Sequence, residues 1–322
     1  MKKNGLFMLF FALFLLAACG NESVDSTAGE KETPNEETET SEGKEQTITY
    51  LNEEYTVTSN PTKIVTASQE AMEDAAILGV KPIGAIATGG KFPEYLGDSM
   101  SEATEIGEKT QPSIEKLLQL EPDVILGTSK FQPEVAEKLT DVAPMIPISH
   151  VSTNWKDNLF VLAELTDKKE EANQIIANYE SVISEVKEKL SGSMKDQQVL
   201  MIRIRGGNLF IYSPDIYFNP VLYQDLGLPV PEAVKAAKSQ EMITLEKLAE
   251  INPDYLFVQF EEQENADAPD RLKELQENAI WKSMISVKNE KVFVNAVSPL
   301  AAGGTAWSKT EFINVIKETL AQ

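Results

Sequence analysis

The sequence holds little of what metal, redox and nucleic-acid chemistry requires. A single cysteine, Cys19, excludes an internal disulfide, an iron–sulfur cluster and a Cys-rich zinc site. A single histidine, His150, excludes any centre built on two imidazoles. Arginine occurs only at Arg203, Arg205 and Arg271, and Lys+Arg 29 stand against Asp+Glu 51, a formal charge of −22. A nucleic-acid binder needs a basic face, so the charge argues against one. No Gly-x-Ser-x-Gly elbow, P-loop or dinucleotide fingerprint is present, and Ala302-Gly303-Gly304-Thr305 is too short to be one. A Ser–His hydrolase would have to use the lone His150, so the chain reads as a binding protein rather than an enzyme. It needs no cofactor.

Long apolar runs are also missing. Residues 6–16 are apolar, well short of the ~20 needed to span a bilayer as a helix. Lys2 and Lys3 precede the run, and Ala17, Ala18 and Cys19 follow it, the layout of a secretory signal over 1–18. The cysteine at its end is similar to a bacterial lipobox, which implies lipidation of Cys19 and a membrane anchor. Residues 20–46 hold nine acids, two lysines and no aromatic residue. Such a segment cannot bury enough apolar surface to order itself, so 19–46 reads as a lipidated cysteine and an acidic tether.

From residue 47 onward short apolar strands alternate with amphipathic helices, the signature of an α/β protein. Strands are expected at 64–67, 82–87, 123–126, 145–148, 199–204, 209–212, 254–260 and 291–294. Helices are expected at 70–78, 113–120, 132–139, 218–226, 244–251, 271–278 and 310–320. Residues 113–126 (SIEKLLQLEPDVIL) and 244–257 (TLEKLAEINPDYLF) repeat one helix–Pro-Asp–strand unit. One repeat at a domain-sized spacing points to two similar lobes rather than a solenoid. Between them, residues 167–190 carry an apolar stripe on one helical face, with Asp167 as N-cap and Glu170 three residues on. The expected organisation is a first lobe over 47–166, an inter-lobe helix over 167–192 and a second lobe over 193–322. Each lobe is a three-layer α/β/α unit, with a ligand cleft between the two.

Several stretches carry a resemblance: Asn60-Pro61-Thr62-Lys63-Ile64-Val65, residues 78–85 (LGVKPIGA), residues 114–126, and Trp281-Lys282 through Val292. With the lipobox, tether and spanning helix, the chain resembles the substrate-binding lipoproteins of bacterial iron-siderophore and cobalamin ABC importers. Asn154-Trp155-Lys156-Asp157-Asn158-Leu159, and Arg203 before Gly206-Gly207, look most like the hydroxamate-siderophore members of Gram-positive bacteria. The resemblance implies a monomer anchored on the outer face of the cell membrane. It would capture an iron(III)-siderophore and hand it to ABC permease subunits and, through them, their ATPase. Haem, cobalamin or a catecholate siderophore are alternatives on the same scaffold. Glu115 and Glu246, one in each copy of the repeat, match the family's permease-docking glutamates.

Ligand contacts are expected from loops at the sheet ends. The first lobe offers Lys91, Phe131 and Trp155, and the second Arg203, Arg205, Tyr217 and Trp307. Arg203 and Arg205 lie at i and i+2, on one face of a strand, and a planar guanidinium suits the oxygens of an anionic chelate. His150 falls at the edge of the same cleft. A siderophore supplies the iron's own oxygen ligands, so no direct protein–metal bond is expected.

Overall fold

The computed structural model describes residues 44–321. The signal segment, Cys19 and nearly all of the tether lie outside those residues. Strand β1 (Glu45–Tyr50) pairs with β2 (Glu53–Thr58) in an antiparallel hairpin. Glu45 and Gln46, expected in the tether, belong to this strand. Ile48 and Tyr50 alternate into the core, as the period of two requires.

The first lobe is built on β3 (Ile64–Thr66), β4 (Gly84–Ala87), β5 (Thr104–Glu108), β6 (Gln111–Pro112), β7 (Val124–Thr128) and β8 (Met145–Ile148), in the order β6-β5-β4-β3-β7-β8. All of its pairings are parallel except that of β6 with β5. The second lobe is built on β9 (Val199–Arg205), β10 (Asn208–Tyr212), β11 (Gln240–Ile243), β12 (Tyr255–Phe260) and β13 (Val292–Val294), in the order β11-β10-β9-β12-β13. Here β9, β12 and β13 are parallel, while β10 pairs antiparallel with both β9 and β11. Every residue of β3, β4 and β7 is buried. Strands buried on both faces need cover above and below, which makes a three-layer lobe.

The helices are α1 (Gln69–Leu78), α2 (Ile114–Leu120), α3 (Pro133–Thr140) and α4 (Trp155–Leu165) in the first lobe and α5 (Lys169–Leu190) between the lobes. There follow α6 (Glu232–Ala236), α7 (Leu245–Ile251), α8 (Arg271–Glu277), α9 (Ala279–Ser283), α10 (Ile285–Lys288) and α11 (Ala306–Thr319). The repeat seen in sequence is repeated in geometry. Ser113 caps α2 and Thr244 caps α7, each side chain accepting from the amide three residues on. Both helices end on a left-handed residue, Glu121 and Asn252. Asp123 then accepts from the Thr62 and Lys63 amides at the foot of β3, and Asp254 from the Gln198 amide at the foot of β9.

Helix α5 has 22 residues, roughly 33 Å at 1.5 Å per residue, with Ala172, Tyr179, Val186 and Leu190 buried along one stripe. Its start differs from the sequence expectation. Asp167 is not the N-cap: it takes a left-handed φ of 55° in the turn that follows α4, and Lys168 precedes the helix without a side-chain cap. The segment 218–226 is helical over 219–225, as expected, but Val221–Asp225 take the wider π form. Helix α11 begins after the second lobe's last strand yet packs on α1, α4 and α5. It is a second tie between the lobes.

That tie is close. Gly303, at φ 84°, leaves no room for a side chain against Tyr217, and a Cβ on Gly304 would fall 2.2 Å from Ser152 Oγ. Ser152 in turn donates to the Tyr217 carbonyl across the lobe boundary, at 3.1 Å. The Gly-Gly pair singled out in sequence therefore serves a backbone approach rather than a phosphate.

Candidate functional site

The carboxyl ends of parallel strands are where an α/β sheet presents ligand groups. In the first lobe those ends carry Gln69 and Glu70 after β3, Lys109 after β5, Lys130 after β7 and His150 after β8. In the second, β9 ends with Arg203 and Arg205, and Glu264 follows β12. All eight line one cavity of about 220 Å³ between the lobes, together with Tyr212 and Tyr217. A smaller chamber of about 170 Å³ adjoins it, shares Lys109 and Lys130, and is floored by Ile86 and Phe131.

Charge dominates this cavity. Arg203 is buried and grips Glu264 with two nitrogens, Nε at 3.1 Å and Nη2 at 2.7 and 2.8 Å from the two oxygens. Arg205 Nε lies 3.6 Å from the same carboxylate. Lys130 Nζ lies 4.0 Å from Glu70. Burial pushes the Glu70 carboxyl up, opposed by Lys130 and Lys109. Burial lowers the Lys109 ammonium, with Arg203 and Arg205 adding to the effect and Glu264 and Glu70 opposing it. Lys109 on one lobe therefore feels the arginines of the other. His150 is lowered by burial and by Lys130, which favours the neutral ring; its Nδ1 lies 2.9 Å from Ser129 Oγ.

Tyr217 is the strained member. It has a left-handed φ of 62°, a conformation that a bulky residue adopts only when its surroundings impose it. Its ring lies under the Arg203 guanidinium, 5.4 Å away, and its buried hydroxyl has no hydrogen-bond partner among the described residues. An orphaned donor facing a cavity is a group that a ligand can satisfy.

The residues expected to contact ligand do not all converge. Arg203, Arg205, Tyr217 and His150 line the cavity, and Phe131 lines the adjoining chamber. Lys91 lies elsewhere along the lobe boundary, in a cavity of about 290 Å³ with Phe92, Tyr95, Glu261 and Gln263. Trp307 packs on Tyr95 with tilted rings 4.6 Å apart, outside the charged cavity. Trp155 is buried at the start of α4, edge-on to Tyr179 and beneath Lys309, so it holds helices together instead of facing the cleft. Lys109, Lys130, Glu70 and Glu264 were not anticipated. Lys109 and Lys130 directly follow strand ends, but the β5 strand was not read from the sequence, and Glu264 lies sixty-one residues from its arginine.

Glu115 and Glu246 are both exposed in first turns, and neither forms an ion pair among the described residues. The neighbouring lysines are drawn off by other acids: Lys116 pairs with Glu105, and Lys247 with Glu250 at 3.0 Å. Among the described residues no group of His, Cys, Asp and Glu could hold a metal ion, and no helix is long and apolar enough to cross a membrane.

Two α/β lobes, tied by a spanning helix and facing each other across a charged cavity, define a solute-binding protein. The chain belongs to the periplasmic binding protein family, whose profile matches residues 64–295. The iron-uptake system-binding protein of Bacillus subtilis (strain 168) is 47% identical over 324 residues, covering 100% of both chains. The crystal structure of the triscatecholate siderophore binding protein FeuA from B. subtilis, complexed with ferri-bacillibactin, matches with a TM-score of 0.82 at 51% identity. That match covers 86% of this chain and 98% of that one. The iron(3+)-hydroxamate-binding protein FhuD of B. subtilis (strain 168) is 26% identical over 295 residues, 88% of each chain. The expected leaning toward hydroxamate members is thereby corrected: similarity is far higher to a triscatecholate binder.

Proposed function

We propose that this protein captures a ferric siderophore of the triscatecholate class and presents it to an ABC permease for iron uptake. One observation carries the reading: Lys109, Lys130, Arg203 and Arg205 converge from both lobes on one cavity. Three catecholates leave Fe³⁺ in a triply negative complex, whereas three hydroxamates leave it neutral. Four cations stand against Glu264 and Glu70, so the balance of formal charge in the cavity is positive, and the burial that raises the Glu70 carboxyl adds to it. In a chain of formal charge −22, a pocket of that sign is a specific arrangement. A neutral chelate would not repay the desolvation of four cations. Electrostatic complementarity of this kind also speeds encounter and rejects wrong partners.

In this reading the ligand bridges the lobes, with Lys109 and Lys130 on one side and Arg203 and Arg205 on the other. The Tyr217 hydroxyl donates to it, and a catechol ring reaches toward Phe131. Glu115 and Glu246 dock the lobes on the permease, and Cys19 carries the lipid that holds the protein at the outer face of the membrane. Exposed ion pairs contribute only ~0–1 kcal/mol each, so the docking glutamates act mainly on orientation and encounter.

The test is intrinsic-fluorescence quenching of the protein by ferric triscatecholate, ferric hydroxamate, haemin and cobalamin. Saturable quenching by the catecholate at concentrations far below those for the others is expected, and Arg203→Ala should weaken it at least roughly tenfold. Equal or tighter binding of the hydroxamate would overturn the reading.

A further inference from the structure

The two docking helices are alike in length, capping and the placement of their glutamates, but their surroundings differ. At the repeat offset, exposed Gln111 in the first lobe corresponds to Met242 in the second. Met242 is 61% exposed, on the outermost strand of its sheet, and it borders a groove of about 610 Å³. Ile243 and Leu245, both half-buried, give the groove apolar surface, with the buried Leu209 and Leu275 beneath them and Asn208, Thr244 and Asn278 as its polar part. Glu246 stands on its rim, and so does Glu274, which is 3.6 Å from Arg271. Beside Glu115 there is instead the Lys116–Glu105 ion pair.

We propose that this groove is a second anchor for the permease. It takes an apolar side chain carried next to the cation that pairs with Glu246, and so it fixes which lobe meets which permease subunit. The inference rests on the docking role of the glutamates. A groove whose rim has a carboxylate unpaired among the described residues and whose border is a solvent-facing methionine fits a basic-and-apolar segment. Methionine, unbranched and polarizable, moulds to such a partner. The first lobe, with glutamine at the matching position, has no apolar residue exposed on the strand beside its glutamate; its exposed apolar group is Leu118, on the helix itself. Two sockets read by charge alone would accept the protein in either of two orientations, whereas apolar groups placed differently on the two lobes permit a single orientation.

The experiment compares Met242→Gln, which copies the first lobe, with Met242→Leu and Glu246→Ala. The readouts are ferric triscatecholate affinity by quenching, uptake of radioactive iron from that complex by cells producing each variant, and sedimentation of the purified protein. Met242 is exposed, so all variants should fold and bind ligand as the wild type does. Met242→Gln should lower uptake about three- to tenfold, the effect of leaving one partly buried side chain unpacked, and Met242→Leu should restore it. Unchanged uptake in Met242→Gln with loss in Glu246→Ala would overturn the groove proposal and leave docking intact. No loss in either would overturn docking and the groove together. A change in sedimentation with normal uptake would assign the groove to a second copy of the chain and also overturn the proposal.

Discussion

Arg203 and Glu264 form a two-pronged ion pair at the lip of the second lobe, joining the end of β9 to the turn after β12. Both side chains are largely shielded from water, at 11% and 15% exposure. A buried guanidinium without a partner is costly, and Glu264 supplies that partner.

Replacing Glu264 with Gln should therefore have opposite effects on the free and loaded protein. Without ligand the guanidinium loses its counter-charge, and stability should fall by roughly 2–4 kcal/mol. With saturating ferric triscatecholate the anion supplies the missing charge, and most of the loss should disappear. Thermal melts with and without ligand measure both. An equal loss in the two states would show that the glutamate serves the fold alone.

Affinity for a triply negative ligand should fall as pH rises through and above neutrality. Burial and the facing arginines lower the Lys109 ammonium, so it sheds its proton earlier than an exposed lysine does. Burial raises the Glu70 carboxyl, so its negative charge arrives later than usual. Deprotonation of either group removes one unit of positive balance, and both changes act in the same direction. Quenching titrations across that range should show the decline. The double variant Glu70→Gln with Lys109→Met should bind more weakly at neutral pH but lose the slope. A slope unchanged in the double variant would place its origin elsewhere.

How far the sequence foretold this site follows from what each residue signals locally. Arginine is so rare here that Arg203 and Arg205, two residues apart, stood out, and strand geometry put them on one face. The repeat around Glu115 and Glu246 was legible because capping residue, glutamate, leucine and Pro-Asp recur at one spacing. Lys109 and Lys130 were hidden among many lysines, since only their position after a strand end distinguishes them. Thr104–Glu108 has a single buried apolar residue, Ile106, so no periodicity marked it as a strand. Trp155 begins a helix and is buried there, a placement that a rare aromatic does not signal locally. The union of Arg203 with Glu264 is a long-range pairing that local pattern does not encode.

Lys309 on α11 is another buried charge, 1% exposed, with Nζ 2.7 Å from Asp225 Oδ2. The Tyr179 hydroxyl donates to the same oxygen at 2.6 Å, and the ammonium lies over the Tyr179 and Trp155 rings. The cluster ties α11 to α5 and α4. Lys309→Met keeps the packing and leaves Asp225, which is partly exposed, bonded to Tyr179, so it should cost less than about 2 kcal/mol. Asp225→Ala strands the ammonium and should cost about 3–5 kcal/mol. Burial already lowers the Lys309 ammonium; without Asp225 it falls further. The unfolded chain then binds more protons than the native one, so the stability of Asp225→Ala should rise with pH. Denaturant unfolding at two pH values checks the order and the sign.

Glu73 provides the other joint between the lobes, and its chemistry makes a sharper test. It lies on α1 of the first lobe with no exposed surface, and it accepts from Tyr95 and, more than two hundred residues away, from the Ala302 amide, Thr305 and Ser308. Those last three groups surround the start of α11, so one carboxylate gathers the hydroxyls of its N-cap and first turn together with a loop amide and fastens that helix to the opposite lobe. A glutamine has the same shape but only one accepting oxygen, and its amide would face hydroxyl and backbone donors. Glu73→Gln should lower stability by roughly 1–3 kcal/mol. Alanine at Gly304 should do at least as much, because the added methyl meets the backbone of Ser152. Both changes loosen the lobe junction without touching a charged group of the cavity. If the lobes grip the ligand from both sides, each variant should also weaken ferric triscatecholate binding through faster release rather than slower capture. Stopped-flow quenching separates the two rates. Unchanged release from a measurably destabilised junction would mean that one lobe holds the complex unaided.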